Sequence, residues 1–127
     1  MVGAFRKQSY RVTGRLLCGD SSARGVLVKL IDVDIGPDPD DLLAKTETDK
    51  LGRFTVEGDT RELTNIDPQL EIYHECDDFG RPCQRLWKFK LPAKYIYSNA
   101  TSPKKTLNIG TWNLEVRPLG EQRDCLN

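Results

Sequence analysis

GVLVKLIDVDIGPDPDDLLAKTETDKLGRF, residues 25–54, decides the fold. Val26, Val28 and Leu30 lie on one face of an extended segment, while Leu27, Ile31 and Val33 fill the other. Apolar character on both faces marks a central strand. Leu42, Ala44, Thr46 and Thr48 alternate in a second strand. Thr48-Asp49-Lys50-Leu51-Gly52 then reads as a hairpin turn, with Gly52 available for positive φ and Arg53–Glu57 as the return strand. Between the first two strands lies an acidic turn. Asp32, Asp34, Asp38, Asp40 and Asp41 are interrupted there by Gly36, Pro37 and Pro39. So much like charge is costly unless water, a base or a cation offsets it.

Outward from this stretch, alternation continues. Tyr10, Val12, Leu16 and Cys18 share a face of an earlier strand, with Gly14 as a bulge candidate. Residues 58–67 read as a long polar connection. Leu70, Ile72, His74 and Cys76 share a face of a later strand; Trp87, Phe89 and Leu91 mark another, ended by Pro92. Residues 93–98 suit a short helical turn. In the last strand, 106–117, the apolar residues change from odd (Leu107, Ile109) to even positions (Trp112, Leu114, Val116). One extra residue near Gly110, a β-bulge, reconciles them. The reading is about seven strands and no amphipathic helix: an all-β, immunoglobulin-like sandwich or open barrel of antiparallel strands. The 127 residues suit one domain, with loosely ordered ends at 1–7 and 120–127.

The net charge is zero, so no overall field draws the chain to nucleic acid. Charge is segregated locally: the 34–41 turn is acidic, whereas Arg81, Arg85, Lys88, Lys90, Lys94, Lys104 and Lys105 form a basic run. No segment approaches the roughly 18 apolar residues that span a bilayer. No apolar leader precedes residue 10, so either a signal peptide has been removed or the chain is cytosolic. Cys18, Cys76, Cys83 and Cys125 form no C-x-x-C pair, and an even, widely spaced count fits two disulfides in a secreted domain. Three pairings are open. The favoured one clips Cys76 to Cys83 across the 77–82 turn and leaves Cys18 with Cys125. Asn99-Ala100-Thr101 is an N-glycosylation sequon and agrees with secretion. His74 is the one histidine. A neutral role at the core edge suits it better than catalysis, and no nucleophile, zincin, phosphate-loop or dinucleotide motif occurs, so no enzyme is expected.

The runs GVLVKLIDVD and DDLLAKTETDKLGRFTVEG, then PQLEIYHEC and KFKLPAKYI, resemble the nematode transthyretin-like family over roughly residues 9–116. The resemblance implies a transthyretin-type sandwich and secretion. Related hydroxyisourate hydrolases use several histidines, an arginine and a Tyr-Arg-Gly-Ser tail. With His74 alone and an Arg123–Asn127 ending, that activity is not implied. One secreted family member bridges phosphatidylserine on dying cells to a phagocyte receptor, with a cation holding the lipid head group.

The acidic turn suits that role. If strands run up and down, alternate loops share an end. Asp34, Asp38, Asp40 and Asp41 then meet Asp59 from the 58–67 connection. Carboxylates from two loops suit calcium, which takes six to eight oxygens in irregular geometry. Lys94, Lys104 and Lys105 at the same end would touch lipid head groups. The competing reading is a solvated, proline-stiffened turn. A rival class is a secreted protein-interaction module, pairing as a homodimer or docking a receptor through Trp112, Leu114, Val116 and Leu119, or a carrier of a small hydrophobic ligand.

Overall fold

The computed structural model describes residues 6–34, 39–98 and 105–127. Ten strands occur among them: β1 (Arg6–Cys18), β2 (Ser21–Ser22), β3 (Leu27–Asp32), β4 (Asp41–Glu47), β5 (Arg53–Glu62), β6 (Pro68–His74), β7 (Gln84–Lys90), β8 (Tyr97–Ser98), β9 (Leu107–Asn113) and β10 (Gln122–Asp124). A 3₁₀ turn spans Ala93–Tyr95. Seven of these strands have six residues or more, matching the number read from the sequence. They form two sheets. In one, β1 is flanked by β2, β5, β8 and β9; the other runs β10-β7-β6-β3-β4. All pairs are antiparallel except β1–β9, which is parallel. The sheets face each other across a core that includes Val12, Leu16, Val28, Leu30, Leu70 and Ile72, each without solvent exposure. Each such side chain contributes about 1.5–3 kcal/mol by leaving water.

β3 is central, bonded to β4 on one side and β6 on the other, as its two apolar faces require. The register change in β9 is also present. Thr13 faces Asn108 and Arg15 faces Thr111, so β9 carries one extra residue, with Gly110 at φ +77°. The Asn108 side chain accepts the Gly110 amide at 2.8 Å and fixes the bulge. A Cβ at Gly14, opposite, would lie 2.6 Å from Ile109 Cγ1, which is why that position has no side chain.

Four expectations are corrected. The 48–52 turn forms, with Asp49 Oδ1 accepting the Leu51 and Arg53 amides at 2.9 Å each and Gly52 at φ +78°. It does not close a hairpin, however. β4 pairs β3 and β5 pairs β1, so the turn carries the chain from one sheet to the other. The Leu16 amide donates to Gly52 O at 2.8 Å and draws the return strand onto β1.

Second, β5 continues through Glu62, because Gly58–Glu62 pairs with Arg6–Tyr10 of β1. Polar residues alternate there on a half-wet strand. Arg6 and Lys7, expected in a loose lead-in, therefore belong to β1.

Third, the tail is held. β10 pairs β7, and Cys125 bonds Cys83.

Fourth, the other bridge is Cys18–Cys76, with Cα atoms 5.7 Å apart; Cys83 and Cys125 are 4.3 Å apart. Strand order sets this pairing. β1 and β6 end at the same edge of the sandwich, one in each sheet, and β10 lies beside β7. The 77–82 turn is shaped instead by Asp77 and Phe79 in the left-handed region, with Asp78 buried.

Candidate functional site

Arg6 faces Glu62, Gln8 faces Ser98, Asp32 faces both Asp41 and Pro68, and Gln69 faces Lys90. The chain therefore leaves β3, β5 and β7 and enters β4, β6 and β8 at one end of the sandwich. Fully buried Gln8 pins that end. Its side chain donates to Thr64 O at 2.8 Å and accepts the Ile66 amide at 3.0 Å.

Here Asp32, Asp34, Asp41 and Glu62 converge, each offering a carboxylate oxygen within 4.8 Å of the others. Two of the five residues expected as ligands, Asp34 and Asp41, are thus brought together. Asp40 serves the backbone instead. Its Oδ1 accepts the Asp34 amide at 3.0 Å and ties the two ends of the turn. Asp38 lies outside the described residues.

Asp59 is not part of the group. It is exposed in the middle of β5, opposite Ser9. β5 alternates with Phe54, Val56 and Gly58 facing inward, so even-numbered Glu62 turns toward β3 and β4 and odd-numbered Asp59 turns away. Extending the alternation past Gly58 would have selected Glu62 from the sequence.

Asp32 is buried, and its Oδ1 accepts the Asp67 amide at 2.9 Å. A hydrogen bond with Asp32, desolvation and the charges of Asp32, Asp34 and Asp41 hold the Glu62 carboxyl above the usual carboxylate range. Two unit charges about 5 Å apart repel by roughly 1 kcal/mol even in bulk water. A proton on Glu62 relieves part of that repulsion; a divalent cation would relieve more of it and displace the proton.

Lys94 is exposed at this end, whereas exposed Lys105 precedes Thr106, whose hydroxyl accepts from Arg11 midway along β1. Lys94 Nζ lies 5.6 Å from the Tyr95 ring centroid. The Tyr10 hydroxyl donates to Pro92 O at 2.8 Å and anchors the preceding bend. Lys104 and Asn99 lie outside the described residues.

His74 sits away from this end, buried in the core. Its Nδ1 accepts the Cys76 amide at 3.1 Å, and its ring stands edge-on to Trp87 at 5.4 Å. Burial, and then the Arg85 charge, push its pKa down from 6.5 to about 4. The unfolded chain therefore takes up this proton first. Stability from neutral His74 is complete above pH 6.5 and declines as the pH falls from 6.5 toward 4. The expected loss is ~2 kcal/mol between pH 7.5 and pH 5. Urea unfolding at the two pH values measures it, and His74→Gln should flatten the difference. Equal slopes in wild type and variant would contradict this role.

Of the residues expected to meet a partner, Leu114 is fully buried and cannot present itself, because its amide donates to Leu17 O at 2.7 Å and seats it between the sheets. Trp112 is half-buried, whereas Val116 and Leu119 are exposed. Arg85, which the sequence places in the basic run, is fully buried.

The transthyretin-like family profile matches residues 13–92. Transthyretin-like protein 33 of Caenorhabditis elegans is 48% identical over 120 residues, covering 94% of this chain and 83% of that protein. Transthyretin-like protein 46 of the same nematode is 48% identical over 127 residues, covering 99% of this chain and 70% of that one. Transthyretin-like protein 5 is 44% identical over 120 residues, covering 94% and 86%. A crystal structure of a 9R-lipoxygenase from Cyanothece aligns over 87% of this chain and 17% of that one, with 26% identity and a TM-score of 0.48, a likeness too weak to carry an argument.

Proposed function

The chain belongs to the transthyretin-like family, and from that premise we propose that it is a secreted, non-enzymatic adaptor that binds phosphatidylserine through a cation and bridges it to a phagocyte receptor. The observation that carries the reading is the convergence of Asp32, Asp34, Asp41 and Glu62 from three strand ends. Calcium is the cation this donor set suits: hard oxygens, irregular placement, and room for lipid oxygens to complete six to eight ligands. The serine carboxylate and the phosphate of the head group supply such oxygens. Lys94, at the same end, then meets a neighbouring anionic head group. The disulfides Cys18–Cys76 and Cys83–Cys125 support an oxidising, extracellular setting.

The test is co-sedimentation with phosphatidylserine vesicles for variants of the cluster. Asp34→Asn with Asp41→Asn removes two charges of the cluster. Calcium-dependent binding should fall at least about tenfold, equivalent to the roughly 1.4 kcal/mol of one lost ligand contact or more. The fold should be as stable as wild type or slightly more so, since like-charge repulsion is reduced. Asp59→Asn, outside the cluster, should bind as wild type does. Full calcium-dependent binding by the double variant would overturn the reading.

A further inference from the structure

Among the described residues, His74 Nε2 is the one buried side-chain nitrogen or oxygen without a hydrogen-bond partner. His74 is 2% exposed, and its Nδ1 accepts the Cys76 amide at 3.1 Å. An imidazole nitrogen that accepts carries no proton, so the neutral ring holds its hydrogen on Nε2. The result is a buried N–H donor with no acceptor among the described residues. Such a donor has lost its hydration without replacement, and native structures rarely keep one. The Trp87 ring, 5.4 Å away, offers only a weak π contact.

His74 lines a cavity of about 280 Å³. β6 starts beside Asp32 and ends at His74, so the length of that strand, roughly 20 Å, separates the cavity from the acidic cluster. Leu70, Ile72 and His74 share the face of β6 that looks between the sheets, and the cavity enters there. Buried Ala23, Val26 and Leu114 line it together with the Cys18–Cys76 bridge, so its walls are apolar. Its two charged residues, Arg24 and Glu75, are of opposite sign. Both are exposed, and neither forms an ion pair among the described residues.

The unpartnered donor calls for an acceptor. Apolar walls call for an uncharged body, and one cation with one anion at the margin gives neither sign of ligand an advantage. A volume near 300 Å³ is at the small end of ligand sites. We propose that this cavity binds a small neutral carbonyl compound, its oxygen accepting the His74 N–H and its hydrocarbon part against Val26 and Leu114. The site shares no residue with Asp32, Asp34, Asp41 and Glu62. It goes beyond the lipid-binding reading, and either can fail without the other.

The probe is cyclohexanone, titrated into the full isotope-labelled chain at neutral pH with chelator present and lipid absent. Methylenecyclohexane, of the same shape but without the oxygen, is the comparison. His74 is the one histidine, so its imidazole resonances are read by NMR without ambiguity, and the Val26 and Leu114 methyl groups report binding in variants. Binding should be saturable and one-to-one, with the Nε2–H proton moving downfield. The ketone should bind about three- to tenfold more tightly than the hydrocarbon, the range of one neutral hydrogen bond. His74→Gln, whose amide N–H reaches the Nε2 position, should keep that preference. His74→Asn is too short to reach it and should lose the preference. Ala23→Val, which adds two methyl groups to the wall, should weaken both compounds at least about tenfold. The comparison of the two compounds on the wild-type chain stands even if a variant does not fold. No saturable shift, equal binding of the two compounds, or a preference that survives His74→Asn would overturn the proposal. So would an Nε2–H proton that, at saturating ketone, keeps its cross-peak to water or stays upfield under the Trp87 ring current.

Discussion

Arg85→Met is expected to lower the unfolding free energy by about 3–5 kcal/mol, the cost of breaking a buried ion pair from one side. Arg85 has no solvent exposure. Its Nη1 donates to Cys76 O at 2.8 Å and to Leu114 O at 2.7 Å, and its Nη2 donates to Val116 O at 2.8 Å. Its Nε donates to Glu121 Oε1 at 2.7 Å. One side chain thus joins β6, β7 and the segment leading to β10. Methionine fills comparable space but leaves three carbonyls without this donor and the Glu121 carboxylate with only Trp87 and Arg117. Burial opposes the charge on Glu121, yet the hydrogen bonds from Arg85 and Trp87 hold its pKa below the usual carboxylate range. Against a typical total of about 5–15 kcal/mol, the loss should appear as a fall in melting temperature of roughly 10–20 °C. Calorimetry showing a fall of only a degree or two would mean that the tail is held by Cys83–Cys125 alone.

Removing the Cys18–Cys76 bridge by double alanine substitution should cost a similar amount. Its sequence separation of 58 residues gives a loop-closure contribution of about 4 kcal/mol at 25 °C. The Cys83–Cys125 bridge closes 42 residues, a loop that does not overlap the first, so the two contributions should be nearly additive. Urea unfolding of each double variant and of the bridge-free chain tests both amounts. Peptide mapping without reductant tests the pairing itself. Fragments containing Cys18 and Cys76 should be found linked, and a Cys76–Cys83 link would contradict the two-sheet strand arrangement.

Patterns that act within one strand are legible in the sequence. The two apolar faces of β3 require a strand on each side, and the odd-to-even change between Ile109 and Trp112 requires an extra residue at Gly110. Gly52 is legible for the same reason, because the turn itself requires its φ of +78°. Choices between strands are not. Alternation in 42–48 and 53–57 shows two strands and a turn, but the same pattern serves a hairpin or a crossing between sheets. Only the bond from Leu16 to Gly52, across distant sequence, selects the second. The disulfides depend on the same choice. Arg85 stands among lysines and arginines and reads as solvated. Its burial depends on carbonyls of Leu114 and Val116, about thirty residues downstream. At the acidic end, the concentration of aspartates points to Asp34 and Asp41, two of the four carboxylates that converge there. The sequence assigns the remaining carboxylate to Asp59 because its strand pattern stops at Glu57, whereas β5 runs to Glu62.

Like charge among the four carboxylates opposes folding, and the proposed function holds that a bound cation would offset it. The direct measurement is co-sedimentation of the wild-type chain with phosphatidylserine and phosphatidylcholine vesicles, each with calcium and with chelator. The expected result is retention on phosphatidylserine vesicles in calcium alone. Retention that is equal in chelator, or equal on phosphatidylcholine, would contradict it.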